Sequence, residues 1–375
     1  MGTALRVTLV IPTPALPCGV FEYTATLAEH LSRCPAPTQV QAILQATVLS
    51  GGHAHILDRL RSDPATDLLH LQFGYYLYPP DYLTQILELA RRQGWPSLIT
   101  MHGFRPDMTA HHEIIRRYST PFIVHSNSMK QGLMACGIAE ERIDVLAMPC
   151  PDPLPPRQLH QHPQQPPPSP PGQPHQPHQP HQPHQQRRIG YFGFLLPHKG
   201  LRELCCALGL LVPTYPDLTA TILSARAPFG VSGEYATVIE HTLAEERLRE
   251  RISWHTGFLS EQQILTELAR CAAIVLPYQE HTEIGVSYAA SVALASGRPL
   301  ITTKVSFFEN LNGVASQTTS NQPDELARAI RAMLDDPARQ ATFAAQARSY
   351  ASHNTWANAA AAHKASYGHL LTHLS

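Results

Sequence analysis

Lys199 and the glycines around it are the residues of this 375-residue chain whose types and spacing first suggest chemistry. Ile189 to Phe194 reads as a short buried strand, and Gly193 breaks its side-chain row. Pro197-His198-Lys199-Gly200 then reads as a turn leading into an apolar-periodic helix. A helix start offers unpaired backbone N–H groups and a partial positive charge, so a lysine placed there suits a phosphate group. The same residues also suit a plain tight turn at Gly200, with Lys199 in solvent.

A second stretch, from Val275 to Thr303, has the same grammar. A strand ends at Pro277-Tyr278, a polar loop carries Glu280, His281, Thr282 and Glu283, and Gly285-Val286-Ser287 is expected to open a helix of small residues. Gly297 and Pro299 punctuate the entry to the next strand. The alternative is that Ala289, Ala290 and Ser291 only let this helix pack close to a sheet. In the amino-terminal half, polar residues follow three strand-like runs, at His70-Leu71-Gln72, Thr100-Met101-His102-Gly103 and His125-Ser126-Asn127-Ser128. His102 is the candidate there, because Gly103 turns the chain and exposes it at a rim; a structural hydrogen-bonding role is the alternative. Ser126 or Asn127 suits a helix cap. Gly19, ahead of another helix, suits either close approach of the backbone to a ligand or ordinary turn chemistry.

These residues need a scaffold of alternating strands and helices. Leu5 to Ile11 reads as a first strand that stops at Pro12, and further apolar runs cover 40–49, 68–73, 97–101, 121–125 and 143–147. Asp81 to Arg92 is amphipathic, with Leu83, Ile86, Leu87 and Ala90 on one face. After Ile189 the alternation resumes, with strands at 218–224, 251–255, 272–276 and 299–303. Helices are expected over 232–247, 260–269 with Ser260 as N-cap, and 323–334. The fold class is therefore α/β, a mostly parallel sheet in each half with helices on both faces, and ligands at the ends of strands.

Between the halves, from about Pro149 to Arg188, proline and glutamine dominate and Gln-Pro-His recurs four times between Gln173 and His184. That composition forms no apolar face and lacks backbone donors, so a disordered linker is expected there. Its histidines have no carboxylate or thiolate partners at metal-ligand spacing, and no metal site is assigned.

The totals narrow the function. A formal net charge of -1 gives no electrostatic footprint for nucleic acid or an anionic membrane. Seven cysteines without a Cys-x-x-Cys pair suit reduced thiols in the cytoplasm. No apolar run is long enough for a membrane span, and no basic amphipathic stretch stands out, so membrane association is at most peripheral.

Taken together, Pro17-Cys18-Gly19, the HLQFG and TMHGF strand ends, GYFGFLLPHKGL, LPYQEHTEIGVS through SGRPLITT, and Asn354-Thr355-Trp356 resemble the GT-B type retaining glycosyltransferases, the large nucleotide-sugar-dependent family that includes bacterial mannosyl- and glucosyltransferases. The resemblance covers nearly everything but the linker. It implies a GT-B architecture of two Rossmann-like domains facing a central cleft: an acceptor-side domain over 1–150, the linker over 151–188, a donor-binding domain over 189–352, and a closing helix over 353–375 that crosses back to the first domain. It implies a hexosyl-type transferase that moves a sugar from a nucleotide-diphosphate-sugar donor to an unidentified acceptor with retention, without a cofactor or metal.

By the same resemblance, Lys199 contacts the donor pyrophosphate, Gly19 and Gly193 let backbone approach the donor, and His102 lies near the transferred sugar. Gly285, Val286 and Ser287 face donor sugar and phosphate. The chain departs from the family at two places. Phe194 stands where an arginine is usual, with Arg202 one turn into the helix as its stand-in. The usual pair of glutamates falls on Ile284 and Val292, with Glu283 one residue from the first position. Those departures support an alternative, a non-catalytic binding or assembly subunit of the same fold. A nucleotide-sugar epimerase on this architecture is a third reading.

Overall fold

A computed structural model describes residues 5–13, 19–34, 40–48, 52–62, 66–153, 187–227 and 232–372. The loop 14–18 and all but the ends of the proline-rich stretch read as a linker lie outside the described residues.

The first half runs β1 (Leu5–Thr13), α1 (Gly19–Arg33), β2 (Val40–Val48), α2 (Gly52–Ser62), β3 (Leu68–Phe73), α3 (Pro80–Gln93), β4 (Ser97–Met101), β5 (Gly103–Phe104), α4 (Thr109–Tyr118), β6 (Phe122–Val124), α5 (Asn127–Ala135) and β7 (Ile143–Val145). Six of these strands form one sheet in the order β2-β1-β3-β4-β6-β7, with every pairing parallel. Parallel strands are covered on both faces, and the residues of β1 and β3 are accordingly buried whichever way they point: Val7, Leu9, Val10 and Ile11 in one, Leu68 to Phe73 throughout the other. β1 does not stop at Pro12 as its sequence suggests. It continues to Thr13, with Pro12 opposite Thr47 of β2. The β3 register reaches only Val10, so the missing N–H of Pro12 faces no partner strand on that side.

The second half runs β8 (Arg188–Phe192), α6 (Leu201–Leu211), β9 (Thr219–Leu223), α7 (Ser232–Glu245), β10 (Ile252–His255), α8 (Glu261–Ala269), β11 (Ala273–Leu276), β12 (Ile284–Gly285), α9 (Tyr288–Ala295), β13 (Leu300–Thr303), β14 (Ser316–Thr318), α10 (Pro323–Leu334), α11 (Pro337–His353) and α12 (Trp356–Thr372). Its sheet is again parallel, in the order β10-β9-β8-β11-β13-β14. The direction of winding reverses between β8 and β11. That switch point opens a crevice at the carboxyl ends of the two strands, where Gly193 to Lys199 and Pro277-Tyr278 emerge. Local chemistry sets the helix ends: Ser260 caps α8 as expected, in a reciprocal capping box with Gln263, and Asp336 accepts from Arg339 N–H at the start of α11.

Several contacts among the described residues join the halves. β12 pairs antiparallel with β5, Ile284 opposite Phe104 and Gly285 opposite Gly103. Asn310, in helical turns over Ser306–Leu311, donates to the His125 carbonyl at 2.7 Å, and Glu309 accepts from both the N–H and the hydroxyl of Ser128 in the first turn of α5. α12 leaves the second half and lies on α1. Its Trp356, Ala360 and Tyr367 share a core with Val7, Leu9, Tyr23 and Leu27. Cys150 N–H donates to the Asn354 carbonyl at 2.7 Å where the outgoing and returning chains meet.

Glu309 supplies a carboxylate to a helix start in the other half, where it meets an orphan N–H and the positive end of the helix dipole. Glu309→Ala is therefore expected to destabilise the chain by about 1–2 kcal/mol. Denaturant unfolding checks this, and an unchanged midpoint would show that the contact adds nothing to the docking of the halves.

Candidate functional site

The site grows from the β8 switch point. Gly193 follows β8 with φ of 153°, a conformation comfortable only for glycine, and an added Cβ would lie 3.6 Å from the Tyr278 hydroxyl. The chain then makes a short helical turn over Pro197–Lys199 and passes through Gly200 at φ 71° into α6. A Cβ on Gly200 would overlap the Pro277 carbonyl oxygen, so the lysine turn can lie against the end of β11 only if this residue is glycine. Gln279 N–H donates to the His198 carbonyl at 2.8 Å and the His198 and His281 rings sit 4.8 Å apart, which fastens the polar loop after β11 to the same turn.

Lys199 is not the solvated residue that a plain turn allows. Its ammonium lies 3.9 Å from the centre of the buried Tyr278 ring and 5.1 Å from that of Phe307. Two ring faces stabilise a cation there without neutralising it. Lys199 makes no salt bridge among the described residues. Burial pushes its pKa down to about 8, and Glu283 acts in the opposite direction. Glu283 in turn is raised by burial against the pull of His281, Lys199 and Arg105. The result is a desolvated cation beside a carboxylate that holds its charge weakly, a pairing ready to exchange for a stronger anion.

A binding anion favours the ammonium form, so above about pH 8 binding must take up a proton. Diphosphate affinity is expected to fall by up to about tenfold per pH unit above that point, and titrations at neutral and alkaline pH measure it. An affinity flat through that range would contradict the placement of Lys199. For folding the sign is opposite: the unfolded chain keeps this proton to the ordinary lysine range, so the stability penalty is full at neutral pH and fades as pH rises past 8.

The other expected residues divide. Glu283 reaches the first half, where a Cβ on Gly103 would overlap its Oε1, so the one-residue offset from the usual glutamate position does not keep this carboxylate out of the cleft. A Cβ on Gly285 would lie 3.2 Å from the Phe307 ring and 3.5 Å from the His102 carbonyl, which puts Gly285 between the lysine pocket and the first half. Gly285 and Val286 do not open a helix, however. Ile284-Gly285 is held extended by its pairing with β5, Val286 packs into the core shared with α12, and α9 begins only at Tyr288. Ser287 is the N-cap residue, but its hydroxyl is spent on Tyr278 at 3.0 Å and does not cap the helix.

Arg202 is exposed, and its charge acts on Tyr235 and Cys206 where α6 meets α7. Its backbone N–H donates to the Tyr235 hydroxyl of α7 at 3.2 Å. Phe194 packs edge-on against Phe258 at 6.2 Å. Val292 is buried in the second core, a position closed to a ribose-binding carboxylate. Gly19 is the first residue of α1, and a Cβ there would meet no atom of the described residues within 4 Å.

His102 sits at the end of β4. Its Nε2 is 2.9 Å from Gln72 Oε1, and its ring meets Tyr23 edge-on at 4.7 Å. Burial, with His125 and His363 nearby, holds its pKa well below the usual histidine range, so the ring is neutral at neutral pH. Sequence reasoning passed over Tyr278 and Phe307. Tyr278 had a signal, since it ends β11 at the switch point. Phe307 lies in a short turn with no periodicity to find.

Comparison with known proteins follows the same lines. The model of the family described as Glycosyl transferases group 1 matches residues 186–336, which include the Lys199 turn, Glu283 and α9. No curated protein sequence matches the chain. Among solved structures, Anabaena HepE in complex with UDP is 16% identical, with a TM-score of 0.70 over 97% of this chain and 100% of its own. Sucrose-phosphate synthase from Thermosynechococcus elongatus is 14% identical, with a TM-score of 0.74 over 98% and 99%. A glycosyltransferase from Rickettsia africae is 14% identical, with a TM-score of 0.72 over 99% of each chain. The chain thus has the GT-B fold, two Rossmann-like domains facing a cleft, and its residues 186–336 match the model of the group 1 glycosyl transferases.

Proposed function

We propose that the chain transfers a hexose from a nucleotide-diphosphate-sugar donor to an acceptor hydroxyl, with retention of configuration. The observation that carries this reading is the Lys199 ammonium, set over Tyr278 at the second sheet's switch point without a salt bridge among the described residues. The structures of Anabaena HepE with UDP and with UDP-glucose support a donor of this chemistry. In our scheme the donor lies on the second domain, with its diphosphate at Lys199 and the starts of α6 and α9. Negative charge builds on the departing diphosphate, and Lys199 with backbone N–H groups stabilises it. The acceptor enters from the first domain and attacks the face the leaving group vacates, with His102 and Glu283 at the junction. The scheme calls on no metal.

We propose the domain limits 1–150 and 189–352, with 151–188 between them and 353–375 as the closing segment. A cytoplasmic setting fits the six free cysteines among the described residues. No helix among the described residues is long and apolar enough to cross a membrane.

Incubation with a panel of uridine, guanosine and adenosine diphosphate sugars, followed by assay of released nucleoside diphosphate, tests the reading. Release with one base and a product of unchanged anomeric configuration is expected. Phe194 and the buried Val292 favour the second reading, a non-catalytic subunit. A stoichiometric protein partner with no release from any donor would replace the first reading with that one.

A further inference from the structure

A chain of hydrogen bonds runs from the closing helix to the cleft through buried polar side chains. The Tyr367 hydroxyl of α12 is 2.8 Å from His70 Nδ1, and His70 Nε2 is 2.8 Å from Thr100 Oγ1 and 3.1 Å from Gln72 Nε2. Gln72 Oε1 is 2.9 Å from His102 Nε2. His70, Gln72, Thr100 and Tyr367 are all fully buried. An unmade hydrogen bond among them is costly, so the donors and acceptors must alternate consistently.

As Gln72 is placed, its amide N–H donates to His70 Nε2, so His70 carries its proton on Nδ1 and donates to Tyr367. The Gln72 carbonyl can then only accept, which requires His102 to donate from Nε2. Burial holds both imidazoles neutral, so each has a single proton to place. His102 Nδ1 makes no hydrogen bond among the described residues.

We infer that Gln72, held by His70 and by Tyr367 from the closing helix, is a positioning residue that fixes His102 as the Nε2–H tautomer and leaves Nδ1 to accept a hydrogen bond from a donor-sugar hydroxyl. This rests on the reading above that His102 lies beside the transferred sugar. It gives α12 a part in the site beyond docking. Gln72 acts through His102, and its effect falls on the geometry of the bound sugar rather than on diphosphate binding.

Nitrogen-15 NMR of the histidine rings tests this in the full chain, with His102 assigned by the signals lost in His102→Gln. The wild type is expected to show His102 protonated on Nε2 alone. Gln72→Leu should give a mixture of tautomers and lower kcat roughly 10- to 100-fold with little change in donor KM. Tyr367→Phe, a milder change at the far end of the chain, should shift the His70 and His102 ring signals in the same direction. It also serves if Gln72→Leu does not fold. A wild-type His102 protonated on Nδ1, or a tautomer unmoved by either substitution, overturns the proposal. If no donor turns over but the Nε2–H tautomer is present and responds to Gln72, the positioning stands and the proposed function fails.

Discussion

Lys199→Ala is expected to abolish the melting-temperature rise that a nucleoside diphosphate gives the wild-type chain and to lower sugar turnover on the order of 10²–10³-fold. Two features make the effect large. The ammonium is desolvated between the rings of Tyr278 and Phe307, where a charge interacts with an anion far more strongly than at an exposed position. It also acts where negative charge grows during the reaction, so its loss reaches kcat as well as donor binding. Because the folded chain bears the penalty of a partly desolvated cation, Lys199→Ala should leave stability unchanged or raised. A variant that loses turnover only because it unfolds would count against the electrostatic explanation.

Gly200→Ala is the second large effect, and it acts on folding first. The residue has φ of 71°, which costs an alanine about 1–2 kcal/mol. The new methyl would also overlap the Pro277 carbonyl oxygen, a backbone atom fixed by its position at the end of β11. Together these should destabilise the chain by about 3 kcal/mol or more and swing the Lys199 turn away from Tyr278. The melting temperature should fall, and the fraction still folded should bind diphosphate weakly. Gly19→Ala, where a Cβ meets no atom of the described residues within 4 Å, is the control that should leave stability nearly unchanged. Equal losses in the two variants would mean that the contact at Pro277 does not set the turn.

The contrast between those glycines shows where sequence and structure part company. Both precede helices, and from sequence each suits the same turn chemistry; only the position of Pro277 makes one of them obligatory. The central strands were legible because parallel strands buried on both faces read as unbroken aliphatic runs, as at β1, β3 and β13. The closing helix was legible as well, through Trp356 and Tyr367. β5 and β12 were not, because two-residue strands carry no period and exist only by pairing across the halves. That pairing also moved the start of α9 from Gly285 to Tyr288.

Of the candidate site, Lys199 and His102 were singled out from sequence because each comes in the segment after a strand, and Glu283 because the resemblance puts it one residue from a glutamate position. Their surroundings were not. Nothing local in the sequence tells that Tyr278 and Phe307 flank the lysine, or that Gln72 and His70 tie His102 to Tyr367, which lies 297 positions beyond His70. These are long-range contacts, set by how the two sheets and α12 come together.

The account turns on a diphosphate site at Lys199, and the most direct measurement is the melting temperature of the wild-type chain with uridine, guanosine and adenosine diphosphates. At least one should raise it, with a stabilisation of about 2.7 kcal/mol when the ligand is at a hundredfold its Kd, and the rise should vanish in Lys199→Ala. No rise with any of the three at millimolar concentration would contradict the account.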